Sequence, residues 1–175
     1  SCRQRLAKLL HIDDSRRIIY APNATHALNM GLLGFPWSKG DVVLTSRAEH
    51  NSVLRPLYSL QKRGMIRYYE LDTDKSGRLD MGVYREALAS LHPRMVIITH
   101  ASNVTGAVND AAVIADEAKK AGAAVFLDAA QTAGVIPVLP ALWNVDMAAF
   151  TGHKYLLGPQ GTGALYVSPD IELAP

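Results

Sequence analysis

Along the chain, short runs rich in β-branched and other apolar residues alternate with stretches whose apolar positions recur every three to four residues. The runs RRIIY (16–20), DVVLT (41–45), MIRYYE (65–70), RMVIIT (94–99), AAVFL (123–127), VDMAAF (145–150) and GALYV (163–167) predict seven strands. Predicted helices separate most of them. Val83, Ala87, Leu88 and Leu91 fall on one helical face behind Asp80 as N-cap. Asn109 or Asp110 caps a second helix, AAVIADEAKKAG, which closes on Lys119, Lys120 and Gly122, the cation-then-glycine ending that suits a helix carboxyl end. A third runs from Ser52 to Arg63 and stops at Gly64, and THALNMGLL forms a fourth.

This alternation predicts an α/β fold of three layers, α/β/α, around a mainly parallel seven-stranded sheet. Continuous apolar strands such as AAVFL agree, because a sheet covered on both faces buries every side chain. The last pair breaks the pattern. Between 145–150 and 163–167 stands only TGHKYLLGPQGT, too short for a crossover helix, so the last strand is expected to run antiparallel to its predecessor.

Composition narrows the classes. A chain of 175 residues, 49% hydrophobic, suits one domain with a sizeable core. Eighteen basic against sixteen acidic residues give a net charge of +2, without the basic excess that suggests nucleic acid or an anionic membrane. A single cysteine, Cys2, excludes an internal disulfide and a multi-cysteine metal site, and no metal-ligand set stands out. No apolar run approaches the roughly 18 residues of a membrane span, so a soluble, cytoplasmic protein is expected.

In open α/β sheets, ligands bind beyond the carboxyl ends of the parallel strands, and those ends hold the candidate chemistry. After 16–20 the loop Ala21-Pro22-Asn23-Ala24-Thr25 enters a helix, whose free N–H groups and dipole, with the Thr25 hydroxyl, suit a phosphate. An ordinary capped helix starts in the same way. His50 follows 41–45, and the cluster His100 to Gly106, with Asn103, follows 94–99. Asp128 ends an all-apolar strand, where a carboxylate needs a cation or strong donors, although an N-cap role also fits. Thr151, His153 and Lys154 follow 145–150, and a lysine near apolar strand ends can serve as an amine nucleophile. A phosphate cradle, a buried carboxylate, a lysine and an imidazole are together what pyridoxal 5′-phosphate uses. The G-x-G-x-x-G of a dinucleotide site and the GK[ST] of a P-loop are both lacking.

The segments AEHNSVLRP, THASNVTG, LDAAQTAGVIPV and FTGHKYLLGPQGTG, in that order, resemble the class V aminotransferase family of fold-type I pyridoxal-phosphate enzymes, most closely its cysteine desulfurase and selenocysteine lyase branch. The resemblance implies that Lys154 is the Schiff-base lysine and moves protons at the substrate carbon, with Asp128 as the pyridinium partner. It places Gln131 and Asn103 near the cofactor's 3′ oxygen, and His50 stacked on the ring with an acid–base part. Thr151, His153, Ala24 and Thr25 would hold the phosphate. His26 and His100 keep ordinary structural readings. A homodimer, an amino-acid substrate (cysteine or selenocysteine) and a sulfur acceptor protein are further implications.

The chain also departs from the pattern. Where relatives carry a Gly-x-Thr-Glu type loop, it has Asn23-Ala24-Thr25-His26, and asparagine is expected to keep the turn because it tolerates left-handed backbone. The family's carboxylate-clamping arginine and sulfur-accepting cysteine come after the point corresponding to Pro175, and Cys2 does not match that cysteine by motif. Residues 1–175 are therefore expected to be a cofactor-binding large domain without the carboxyl-terminal small domain, exposing surface that favours association. Three readings stay open: a cysteine desulfurase-like enzyme whose isolated fragment is inactive, a related transaminase or selenocysteine lyase, and a cofactor-binding module without turnover.

Overall fold

The structure, a computed structural model, describes residues 1–174. Its elements are α1 (Cys2–Leu9), β1 (Ile18–Ala21), α2 (Ala24–Gly34), β2 (Asp41–Ser46), α3 (Asn51–Lys62), β3 (Ile66–Leu71), α4 (Met81–Leu91), β4 (Met95–Thr99), α5 (Ala111–Lys120), β5 (Ala124–Asp128), β6 (Met147–Thr151) and β7 (Gly163–Val167). All seven expected strands form one sheet in the order β1-β7-β6-β5-β4-β2-β3. As the short connection requires, β7 is antiparallel to β6; it is also antiparallel to β1. The other six strands therefore point the same way, and their carboxyl ends share one edge.

Alternation along each strand divides the core. Met95 and Ile97 of β4 and Phe126 of β5 pack with Leu28 and Leu32 of α2 and Val53 and Leu57 of α3. Val96, Ile98, Val125 and Leu127 face the other way, against Tyr84 and Leu88 of α4 and Ile114 and Ala118 of α5. Burial on both faces explains why these strands read as unbroken apolar runs.

Local chemistry shifts several boundaries. Asp14 accepts from the Arg16 N–H and caps a short 3-10 turn over Ser15–Arg17, so β1 begins at Ile18 rather than Arg16. On α4 the buried face is Tyr84, Ala87 and Leu88, while Val83 is exposed. A tyrosine takes the place expected of valine because its ring fills the core while its hydroxyl donates to the Ile114 carbonyl at 2.8 Å. Of the two candidate caps for α5, Asp110 does the capping, accepting from Val113 N–H at 3.1 Å. Asn109 is buried instead: its Nδ2 donates to the Thr99 carbonyl and its Oδ1 accepts from Leu79 N–H, both at 2.8 Å.

Candidate active site

The loops at the shared carboxyl edge close around a cavity of about 260 Å³. Pockets for drug-sized ligands run from roughly 300 Å³ upward, so this one suits a small molecule. All nine residues singled out from the sequence line it: Ala24 and Thr25 after β1, His50 after β2, Asn103 after β4, Asp128 and Gln131 at the end of β5, and Thr151, His153 and Lys154 at the end of β6. Five separate strand ends thus converge. His100 and His26 are not among the lining residues. His100 is buried, its Nδ1 2.9 Å from Thr132 Oγ1 and its ring edge-on to Trp143, and burial pushes its pKa down to about 4 against a smaller upward pull from Asp110.

The start of α2 departs from expectation in backbone but keeps its function as a helix start. Asn23 is not left-handed; its φ of −170° and ψ of 173° are extended, and its side chain accepts from His26 N–H at 2.8 Å as the N-cap. That bond satisfies one of the first N–H groups and leaves those of Ala24 and Thr25 without intrahelical acceptors at the cavity wall. Gly163 makes this loop possible. A Cβ there would lie 2.7 Å from Asn23 Cα and 2.9 Å from the Phe150 carbonyl oxygen, both backbone atoms that cannot swing aside. Gly163→Ala is expected to cost about 1–3 kcal/mol by overpacking, measured from urea unfolding midpoints. An unchanged midpoint would contradict the close approach.

Hydrogen bonds fix the imidazoles. Ser52 N–H donates to His50 Nδ1 at 3.1 Å, so Nδ1 is an acceptor and the proton of the neutral ring sits on Nε2. Ser52 Oγ is 2.5 Å from the same nitrogen and 2.9 Å from Thr25 Oγ1, so one hydroxyl ties the His50 turn to the start of α2. Ser52 was not among the residues singled out. Its signal was present all the same, as a hydroxyl two residues into a helix behind a side chain able to cap it. At β6, Thr151 Oγ1 donates to the Thr162 carbonyl at 3.2 Å, leaving its lone pairs for His153 Nδ1–H at 2.9 Å.

Asp128 is 5% exposed and its Oδ1 accepts from Ala130 N–H at 2.9 Å. Burial raises its pKa, opposed by the Ala130 bond and by the charges of Lys154 and His50. Neither Asp128 nor Lys154 belongs to an ion pair among the described residues. A buried carboxyl without its own cation and a lysine without its own carboxylate face the same small space.

Comparison with known proteins decides the family. Residues 1–174 match Aminotransferase class-V. The chain belongs to this family. It is 35% identical over 170 residues to a probable cysteine desulfurase of Methanothermobacter thermautotrophicus, covering 97% of this chain and 42% of that protein. Against the cysteine desulfurase IscS of Anaeromyxobacter dehalogenans it is 34% identical over 172 residues, covering 95% and 41%. Class V membership also extends to structure: an apo cysteine desulfurase from Thermococcus onnurineus superposes with a TM-score of 0.90 at 29% identity, covering 96% of this chain and 42% of that one. A C-DES mutant with glycine covalently linked to its PLP cofactor superposes with a TM-score of 0.87 at 29% identity, covering 96% and 45%. The chain spans about two-fifths of the length of the curated relatives it matches.

Proposed function

We propose that the cavity is a pyridoxal 5′-phosphate site and that the chain is the cofactor-binding part of a cysteine desulfurase-like protein. The observation that carries this reading is Lys154 and Asp128 facing one cavity, neither engaged in an ion pair among the described residues. The remaining donors fit the same molecule. The free N–H groups at the start of α2, with Thr25, Thr151 and His153, suit a phosphate. Asp128 suits a protonated ring nitrogen, Gln131 and Asn103 an oxygen substituent, and His50 presents a flat ring.

When bound, the cofactor supplies an electron sink for charge developing at the substrate's α-carbon. The protein's residues do the rest. Lys154 Nζ supplies the amine that attaches an aldehyde covalently, and it accepts and returns the proton at the α-carbon. Asp128 holds the ring nitrogen's proton by its charge. His50, held through Nδ1 by Ser52, directs its Nε2–H as a donor. The names of the relatives supply the substrate class: L-cysteine, whose C–S bond breaks to leave L-alanine while the sulfur passes to a thiol as persulfide. Selenocysteine is the chemically adjacent substrate, and a homodimer and a sulfur-accepting protein partner belong to the same reading. Cys2 lines a separate groove with Tyr20 and Pro159, apart from the cavity that Lys154 lines.

Incubating the cofactor-loaded protein with L-cysteine and a thiol reductant as sulfur acceptor tests whether this chain alone turns over: alanine and sulfide in equal amounts would show that it does. One observation favours a second reading, binding without turnover: no arginine is among the cavity-lining residues to anchor a substrate carboxylate. Bound cofactor without alanine formation would select that reading.

A further inference from the structure

Glu49 is a carboxyl group at the same edge for which the reading above has no task. It is 7% exposed, and its Oε1 accepts from Ser46 Oγ at 2.7 Å and from Thr99 N–H at 2.8 Å. Those two bonds join strand ends that the sheet itself does not join. The β2–β4 ladder pairs Val43 with Met95 and Leu44 with Val96, whereas β4 runs on to Thr99. The Glu49 carboxyl supplies the acceptor that β2 would otherwise have offered to Thr99. On the other side, Thr99 is in register with Asp128 of β5, so the two carboxyl groups flank one residue of β4.

The second oxygen, Oε2, is buried and has no partner among the described residues, and none of their ion pairs includes Glu49. A carboxylate there would be a bare charge in the interior, far costlier than a buried O–H. We propose that Glu49 is a positioning residue, a neutral carboxylic acid that latches the His50 turn onto β4 and leaves Asp128 as the only carboxylate of the site. Its proton resides on Oε2, since Oε1 already accepts twice.

The electrostatics agree. Burial pushes the Glu49 carboxyl from an ordinary 4.5 up to about 8, with the Thr99 and Ser46 bonds pulling down and the charge of Asp128 pushing further up. The titratable groups on this side are Asp128 itself and, facing Asp128, Lys154 and His50. Arg47 is turned to Asp72 at 3.2 Å. Two carboxylates either side of Thr99 would drive one of them to take up a proton, and Glu49 is the one, because Lys154 and His50 favour the charge on Asp128 while Glu49 Oε2 has no partner among the described residues. The stability contribution follows from the upward direction of the shift: it is full below pH 4.5, falls as pH rises toward about 8, and is gone above that.

The functional part of this inference rests on the pyridoxal-phosphate reading; the protonation state does not. Protein carrying 13C-labelled glutamate carboxyls is titrated by NMR. One resonance is expected to titrate near pH 8 and to be missing from Glu49→Gln. Glutamate resonances that all titrate in the ordinary range would overturn the proposal. Pyridoxal 5′-phosphate affinity is then compared at pH 7. Glu49→Gln, which keeps an acceptor and a neutral partner group, is expected within about twofold of the unsubstituted protein. Glu49→Ala is expected to bind about tenfold more weakly, the equivalent of one lost buried hydrogen bond. Equal affinities of the two variants would refute the latch, and a Gln variant as weak as the Ala variant would show that a charge is needed. Should the unsubstituted protein not bind pyridoxal 5′-phosphate at all, the cofactor reading fails while the carboxyl titration still decides Glu49, as it does if Glu49→Ala does not fold.

Discussion

Lys154→Ala is expected to abolish covalent attachment of pyridoxal 5′-phosphate: the near-visible absorbance of the lysine-bound form disappears, and borohydride no longer fixes cofactor to protein. The whole effect falls on one side chain because no other lysine among the described residues lines the cavity. Non-covalent binding should survive in part, since the contacts offered to the phosphate come from α2 and from Thr151 and His153, which the substitution leaves in place. Folding should also survive. Lys154 is only half-buried and belongs to no ion pair among the described residues, so removing it breaks no pairing and leaves no partner charge stranded. Absorbance titrations and thermal unfolding of the same preparation check both halves. A variant that still traps cofactor on reduction would remove Lys154 from its assigned role.

Asp128→Asn is expected to separate stability from chemistry. Burial raises the Asp128 pKa, so the ionised form is a cost to the cofactor-free fold at neutral pH. Asparagine removes that charge, and its amide oxygen can still accept from Ala130 N–H. The cofactor-free variant should therefore melt no lower than the unsubstituted protein. Exchange of the substrate α-proton in the loaded variant should slow by about 10²–10³, the size found when one preorganised electrostatic group is taken away. Solvent-deuterium incorporation into amino-acid substrate measures it. A variant that melts much lower while exchanging at the original rate would reverse the assignment, making Asp128 structural.

Much of this was legible in the chain because it depends on neighbours in sequence. Seven apolar runs gave seven strands, and the twelve residues between the last two left no room for a parallel return. The position of β1 beside β7 was not legible, since that pairing joins residues about 145 apart, such as Ile18 with Tyr166, and no local pattern encodes it. Tyr84 was overlooked because periodicity counts apolar residues, whereas its burial depends on a hydroxyl partner thirty residues away. The site behaves in the same way. The nine residues stand at or just past strand ends, where the rule about carboxyl edges points, and the resemblance to class V aminotransferases adds Gln131 and the roles of the rest. Asn23 was placed in the right loop with the wrong backbone, because its capping bond satisfies the turn without a left-handed residue. Nothing in the sequence next to Glu49 signals a buried carboxyl. Only Thr99, fifty positions later, explains why it is buried.

The central claim is that the cavity at the carboxyl edge binds pyridoxal 5′-phosphate through Lys154. It is tested most directly by loading the protein with the cofactor, reducing it with borohydride, digesting it and locating the pyridoxyl mass among its peptides. The geometry predicts that mass on the peptide carrying Lys154 and on no other lysine. Modification centred on a different lysine, or none at all at saturating cofactor, would contradict it.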